Sequence, residues 1–352
     1  MKKGGISRRI MCDEFMDLAL KFVDVAKSDL EVSKLLMKER KYAQAVFYAE
    51  QSAEKLSKAI ILSTCLLEPP ELKREIGHYI FRRGLPRFFD IVAKCHLLTI
   101  EYLNEKVRIS KGIKLDSRIK KLMEQLTSEI KYLLDISEER IIREFLIWRY
   151  RLEVKIDMIE CERNILIKNV NDPLWSVIDE LTDNLYEYVQ DVGKFLKCFD
   201  SMSYDDTIRE LINILKNFTL KIKKLYRERP SKTIKKELKS LRKLINESTD
   251  KIVRAMYLSI ILIFLSTYMI VLEGVTDKVR YPDNQINPVR DLDENKIVVK
   301  LTSKFIKHIE ESQLIELTKA FIKGKISENT EASKIYDKIA QFLRIEKFKE
   351  IF

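Results

Sequence analysis

A chain of 352 residues carries 65 Lys plus Arg against 54 Asp plus Glu, a net charge of +11, and is long enough to bury one to three cores. Its 8 Gly and 7 Pro fall far below the roughly 25 and 18 of average usage, so the chain has few places to turn and must run in long helices. Five dispersed cysteines (Cys12, Cys65, Cys95, Cys161 and Cys198) form no C-x-x-C pair, which excludes a zinc ribbon or a dithiol redox motif and fits a reducing cytoplasm.

The basic N-terminus is interrupted by Asp13, Glu14 and Asp17 before an apolar core can form, so it does not read as a signal peptide. Phe15, Leu18, Phe22, Val25, Leu30 and Leu36 recur at helical spacing over residues 13–38. KERK breaks the pattern, and a second helix is predicted from Tyr42 to about Leu67, stopped by Glu68-Pro69-Pro70. Ala43, Ala45, Ala49, Ser52, Ala53 and Ala59 make that helix rich in small residues, so another backbone can approach it closely. A third helix is expected to begin near His78, with an interruption at Gly84-Leu85-Pro86.

From 99 to 250 the chain reads as long amphipathic helices, with starts marked by Asp172-Pro173, by Ser203 with Asp206, and by Pro230-Ser231. Residues 255–272 then run 18 positions without a charge, about 27 Å as a helix against a bilayer core of roughly 30 Å. Lys239, Arg242, Lys243, Lys251 and Arg254 precede the run, as they would precede a membrane span, but Ser259, Ser266, Thr267 and two tyrosines lie inside it. A buried core helix is the expectation. Residues 282–295 are turn-rich, IVVK at 297–300 is the only short strand candidate, and two helices joined by a linker at GKISENTEAS close the chain. The fold class expected is all-α.

Residues 26–62, AKSDLEVSKLLMKERKYAQAVFYAEQSAEKLSKAIIL, resemble the opening helical hairpin of HEPN domains. The family's A-x-x-D-L-x-x-A-x-x-L-L and Y-x-x-A-x-F-x-x-Q-x-A-E-K-x-x-K-A patterns are matched at Ala26, Asp29, Leu30, Leu35, Leu36, Tyr42, Ala45, Phe47, Gln51, Ala53, Glu54, Lys55, Lys58 and Ala59. IGHYI at 76–80 is similar to the G-H-D-L stretch of many archaeal and bacterial members, with Tyr79 in place of the acid, and RYPD at 280–283 looks like the corner that follows a late core helix there. The resemblance implies an up-and-down HEPN-like bundle built by residues 10–98 and 250–352 around a helical insertion at 99–249, commonly dimeric. Members include ribonuclease toxins, partners of minimal nucleotidyltransferases, and nucleotide-binding or scaffolding modules.

Catalytic members resemble one another in R-x(4-6)-H, where Arg stabilises phosphate charge and His handles the proton. Here Arg74 precedes His78 with three residues between, one short of the motif, while Lys73 has the right gap but the wrong side chain. Neither His96 nor His308 has an arginine at the required distance. Arg74 and His78 are therefore either an offset catalytic pair or a loop charge and a helix-orienting residue. Arg280 and Asp283 either lock a rigid corner or, through Arg280, present a guanidinium fork to phosphate. Glu54 and Lys58, spaced i,i+4, read as mutual helix support.

Residues 204–254 carry +8 of the net +11. Lys232, Lys235, Lys236, Lys239, Arg242 and Lys243 fall on one helical side, opposite Ile234, Leu238, Leu241 and Ile245, and the stripe is either a solvated face or a track for a phosphate backbone. Only Phe218 and Tyr226 are near to stack on bases, which argues against a dedicated single-strand platform. No phosphate-binding glycine loop, hydrolase elbow or H-E-x-x-H is present, the carboxylate clusters at Asp179, Glu180, Asp183 and at Glu160, Glu162 lack metal-site companions, and no metal or cofactor is expected. The function expected is a non-catalytic module for RNA, nucleotide or a protein partner in a toxin-antitoxin or defence setting, as a cytoplasmic homodimer. The alternatives are a metal-independent ribonuclease and a single-span membrane protein.

Overall fold

The computed structural model describes residues 4–64, 67–78, 80, 121, 124–125, 128, 165–166, 168–192, 194, 232–280, 287–324 and 330–342; over 4–12 and 232–252 it describes the backbone alone. The third helix beyond residue 80, the Ser203 and Asp206 start, Phe218, Tyr226, Glu160, Glu162, His96, and the residues Tyr281, Pro282 and Asp283 of the RYPD corner lie outside the described residues. Within them the chain is all-α, with one isolated bridge pairing Asn169 and Lys296.

Among the described residues the helices longer than two turns are α1 (Gly4–Lys38), α2 (Tyr42–Ser63), α3 (Pro173–Gln190), α4 (Lys232–Arg280), α5 (Ile297–Glu311), α6 (Leu314–Lys323) and α7 (Glu331–Phe342). Two compact units divide the chain. The first comprises Met1–Ile91, Tyr150–Asp191 and Arg254–Lys334, and the second Val92–Arg149, Val192–Val253 and Ile335–Phe352. Residues 150–191, which fall within the expected insertion, thus cluster with the first unit.

α1 and α2 form an antiparallel hairpin because small side chains line the seam. Ala19, Ala26, Ala45, Ala49 and Ala53 are wholly buried, and two hydroxyls cross between the helices: Ser33 Oγ donates to the Ala45 carbonyl and Ser52 Oγ to that of Ala26, each at 2.7 Å. The turn closes with Lys41 N donating to Leu36 O and Arg40 N to Met37 O, a C-terminal cap in which Arg40 takes φ +56°, a position that favours glycine. α2 ends at Ser63, four residues before the predicted Leu67, where the Thr64 amide and hydroxyl both turn back to Ile61 O.

α3 begins where Asp172-Pro173 predicts: Asp172 Oδ1 accepts the Leu174 amide at 2.9 Å with proline in the first turn. IVVK, the one short strand candidate, is instead the first turn of α5. Ile297, Val298, Leu301, Phe305 and Ile309 are all buried, and this 3.6-residue period overrides the local β-branched preference.

The apolar run lies in α4. A 21-residue stretch, Met256–Thr276, is long and apolar enough to cross a bilayer, but 78% of it is buried inside the protein. Tyr257 packs on Phe321 of α6 with ring centroids 4.3 Å apart, and Tyr268 on Phe305 of α5 at 5.1 Å. Ser266 and Thr276 donate to carbonyls one turn back, at Leu262 and Leu272, so these two hydroxyls are satisfied by the helix itself. A helix apolar all round is a buried helix, and each large side chain so enclosed contributes about 1.5–3 kcal/mol.

Candidate functional site

The face of α2 turned toward residues 72–78 carries two acids among its small residues. Glu50 and Glu54 are one turn apart and almost fully buried, at 2% and 3% exposure. Gln51 bridges them, its Nε2 donating to Glu50 Oε2 at 2.8 Å and to Glu54 Oε2 at 3.3 Å, while Lys55 Nζ donates to Gln51 Oε1 and pairs with Asp29 of α1, both at 2.8 Å. Lys58 pairs with Glu54 one turn further on.

Two carboxylates this close and this dry cannot both ionise freely. Burial above all, then the charge of Glu54, pushes the Glu50 carboxyl up to about 8, against the hydrogen bond from Gln51. Burial also pushes Glu54 upward, but Lys58 and then His78 outweigh it and hold this carboxyl below its ordinary value. Near neutral pH the pair therefore holds a protonated Glu50 beside an ionised Glu54.

His78 meets this pair. After Pro69-Pro70 starts a single turn at Glu68, residues Leu72–Ile76 form a π-helical turn, and Gly77 at φ +58° swings the chain so that His78 faces α2. His78 Nδ1 lies 2.9 Å from Glu54 Oε2 while 79% of the imidazole is exposed. Because Glu54 is ionised and accepts only, Nδ1 carries the proton and Nε2 is left to solvent. Arg74 is exposed on the π-helical turn.

Arg280, the last residue of α4, is also exposed, and its guanidinium lies 4.9 Å from the ring centroid of Phe47 on α2. Phe47 and Glu54 are seven positions apart, so Arg280 and His78 reach one face of α2 about 10.5 Å apart along its axis. Asp283, the partner expected for Arg280, lies outside the described residues. Lys232, Lys235, Lys236, Lys239, Arg242 and Lys243 stand on the helical backbone of α4, their side chains outside the description. Among the described residues no cluster of His, Cys, Asp or Glu has the geometry to hold a metal ion.

Glu50 is absent from the sequence expectation, and Glu54 enters it as a match to the hairpin pattern and as the partner of Lys58. That pair is present; the His78 contact is additional. The readable signal is two acids one turn apart on the face that also carries Ala43, Ser57 and Ile61.

Fold and site together define an all-α module whose opening hairpin carries a buried carboxylate pair beneath an exposed histidine. Residues 19–71, which include most of that hairpin, match the family model of the HEPN domain. At the family level such a match supports an RNA-related or toxin-like module. No curated protein and no solved structure matches the chain.

Proposed function

We propose that the chain is a HEPN module that binds RNA or nucleotide through phosphate, on the face of α2 bounded by His78 and Arg280. The observation that carries this reading is the Glu54–His78 pair: a buried carboxylate fixes an exposed imidazole with Nε2 outward, four residues along the chain from the exposed Arg74. Arg280, seated on Phe47 two turns away, supplies a second cation. Their spacing along α2 suits neighbouring phosphates of a strand better than one shared phosphate.

The bundle of residues 10–98 and 250–352, the insertion at 99–249, the corner role of Asp283 and the basic stripe from Lys232 to Lys243 belong to the same proposal, the stripe as a sequence-independent phosphate track. So do a cytoplasmic homodimer and a nucleotidyltransferase partner within a toxin-antitoxin or defence pair.

Fluorescence anisotropy with a short labelled RNA tests the reading. His78→Ala and Arg280→Ala are each expected to weaken binding 5- to 50-fold, on the order of 1–2 kcal/mol, without lowering Tm by more than a few degrees. Unchanged affinity in both variants excludes this face as the phosphate site.

The same pair favours a second reading, RNA cleavage without metal, because an imidazole oriented by a carboxylate is a general base. Cleavage in the presence of chelator, lost in His78→Ala and in Glu54→Gln, is its expected result; intact RNA after prolonged incubation excludes it.

A further inference from the structure

A second polar cluster lies in the first unit, where α3, α4 and α5 meet, and the phosphate face has no part in it. His308 of α5 is 4% exposed. Its ring stacks on Tyr186 of α3, centroids 3.7 Å apart and planes 7° from parallel, and stands edge-on to Tyr268 of α4. Nδ1 lies 2.7 Å from Tyr268 Oη, and Nε2 faces Asp183 Oδ1 of α3 at 3.8 Å. The negative charge beside Nε2 favours the proton there, so Nδ1 accepts from the tyrosine.

We propose that α3 is held on α5 by a pH-releasable clamp, in which the neutral His308 ring between Tyr186 and Tyr268 keeps the C-terminal half of α3 docked and its protonation lets that half open. The charged groups around the ring are unequal. From α5 itself, Lys304 and Lys307 oppose a second cation and Glu311 favours one. From α3, Asp183 favours it, but Lys304 already binds Asp183 at 2.9 Å and pairs with Asp179 as well. From α4 the uncharged Tyr268 and Phe264 face the ring, and Lys34 of α1 is engaged by Glu310 elsewhere on α5.

Burial and then Lys304 prevail, and the imidazole is held down at about 4 while docked. Once α3 opens and the ring meets water, the ordinary value of about 6.5 returns, so each proton taken up below pH 6.5 favours the open form. Opening is hinged rather than complete, because the start of α3 is tied separately: Val170 N donates to Asn295 O at 2.9 Å and Ile297 N to Lys168 O at 3.0 Å.

Amide hydrogen exchange on the full chain, corrected for intrinsic rates, tests the clamp at pH 7.5 and 5.0. Opening of residues 183–190 is expected to rise about 25-fold at the lower pH while α1 and α2 stay unchanged, and His308→Phe is expected to abolish the difference. Equal opening at both pH values in the native chain, or the same step retained in His308→Phe, overturns the proposal. Should that variant fail to fold, the native imidazole decides by nitrogen NMR: a neutral ring protonated on Nε2 at pH 5.5 supports the clamp, and a charged ring in the docked state overturns it.

Discussion

Glu50 lies one helical turn from Glu54, and the two side chains end in opposite protonation states because only Glu54 has Lys58 and His78 to hold its charge. This asymmetry has a definite pH signature. The unfolded chain ionises Glu50 above about 4.5 whereas the folded chain keeps the proton to about 8, so stability falls as pH rises across that window. Glu50→Gln removes the difference. It is expected to add about 1–3 kcal/mol at pH 8 and nothing at pH 4, measured by denaturant melts at the two pH values; equal melts at pH 8 would mean that Glu50 is already ionised in the folded chain. Arg40 is a second position where one residue carries a backbone cost. Its φ of +56° closes the α1–α2 turn, and Arg40→Gly is expected to stabilise by about 0.5–1 kcal/mol in the same melts.

At the scale of elements, the C-terminal end of α6 shows how a helix terminus depends on its neighbours. Gly324 caps its C-terminus at φ +63°, and a Cβ there would lie 2.1 Å from the Arg254 guanidinium of α4. Arg254 thus sits against the carbonyl end of α6, where the helix dipole favours a cation. Gly324→Ala meets both the left-handed backbone and that side chain, and a loss of about 1–3 kcal/mol is expected in thermal melts. A smaller loss would mean that Arg254 swings aside. Between α4 and α5, Tyr268→Phe deletes the hydroxyl that His308 Nδ1 accepts from while leaving the ring contact with Phe305. An expected cost of about 1–3 kcal/mol, the penalty for an unsatisfied buried acceptor, would separate the hydrogen bond from the packing.

Across the whole molecule, Glu50 and His308 give stability pH slopes of opposite sign. His308 is neutral in folded and unfolded chains above about 6.5. Below that, the unfolded chain takes the proton first, so stability falls between pH 6.5 and 4 by up to about 3 kcal/mol. Glu50 withdraws stability as pH rises toward 8. Between about pH 4.5 and 6.5 the two slopes oppose and nearly cancel, so their sum is highest there and falls from 6.5 toward 8, and His308→Phe together with Glu50→Gln is expected to remove both slopes. The charge of +11 adds a salt dependence: if the basic stripe of α4 tracks phosphate, RNA affinity should fall steeply from 50 to 200 mM salt, and Lys235→Ala with Lys239→Ala should reduce that slope. The apolar stretch of α4 is tested by detergent-free fractionation, where recovery in the soluble fraction is expected of a helix whose window is 78% buried.

The sequence by itself determined what depends on near neighbours. Scarce Gly and Pro required helices, small residues over 43–59 prepared α2 for close contact, Asp172-Pro173 started α3, and the hairpin pattern carried the HEPN resemblance. Where local preferences competed, the reading slipped: IVVK has β-branched side chains, yet the apolar period continuing to Ile309 made it helical. The tertiary structure alone decided which polar groups meet. Glu54 and His78 are 24 residues apart, Tyr268 and His308 are 40, and Asp183 reaches His308 from another helix altogether. Such partners leave no periodic trace along the chain, because burial and a neighbouring charge are properties of the packed core, and these set which imidazole faces water and which carboxyl keeps its proton.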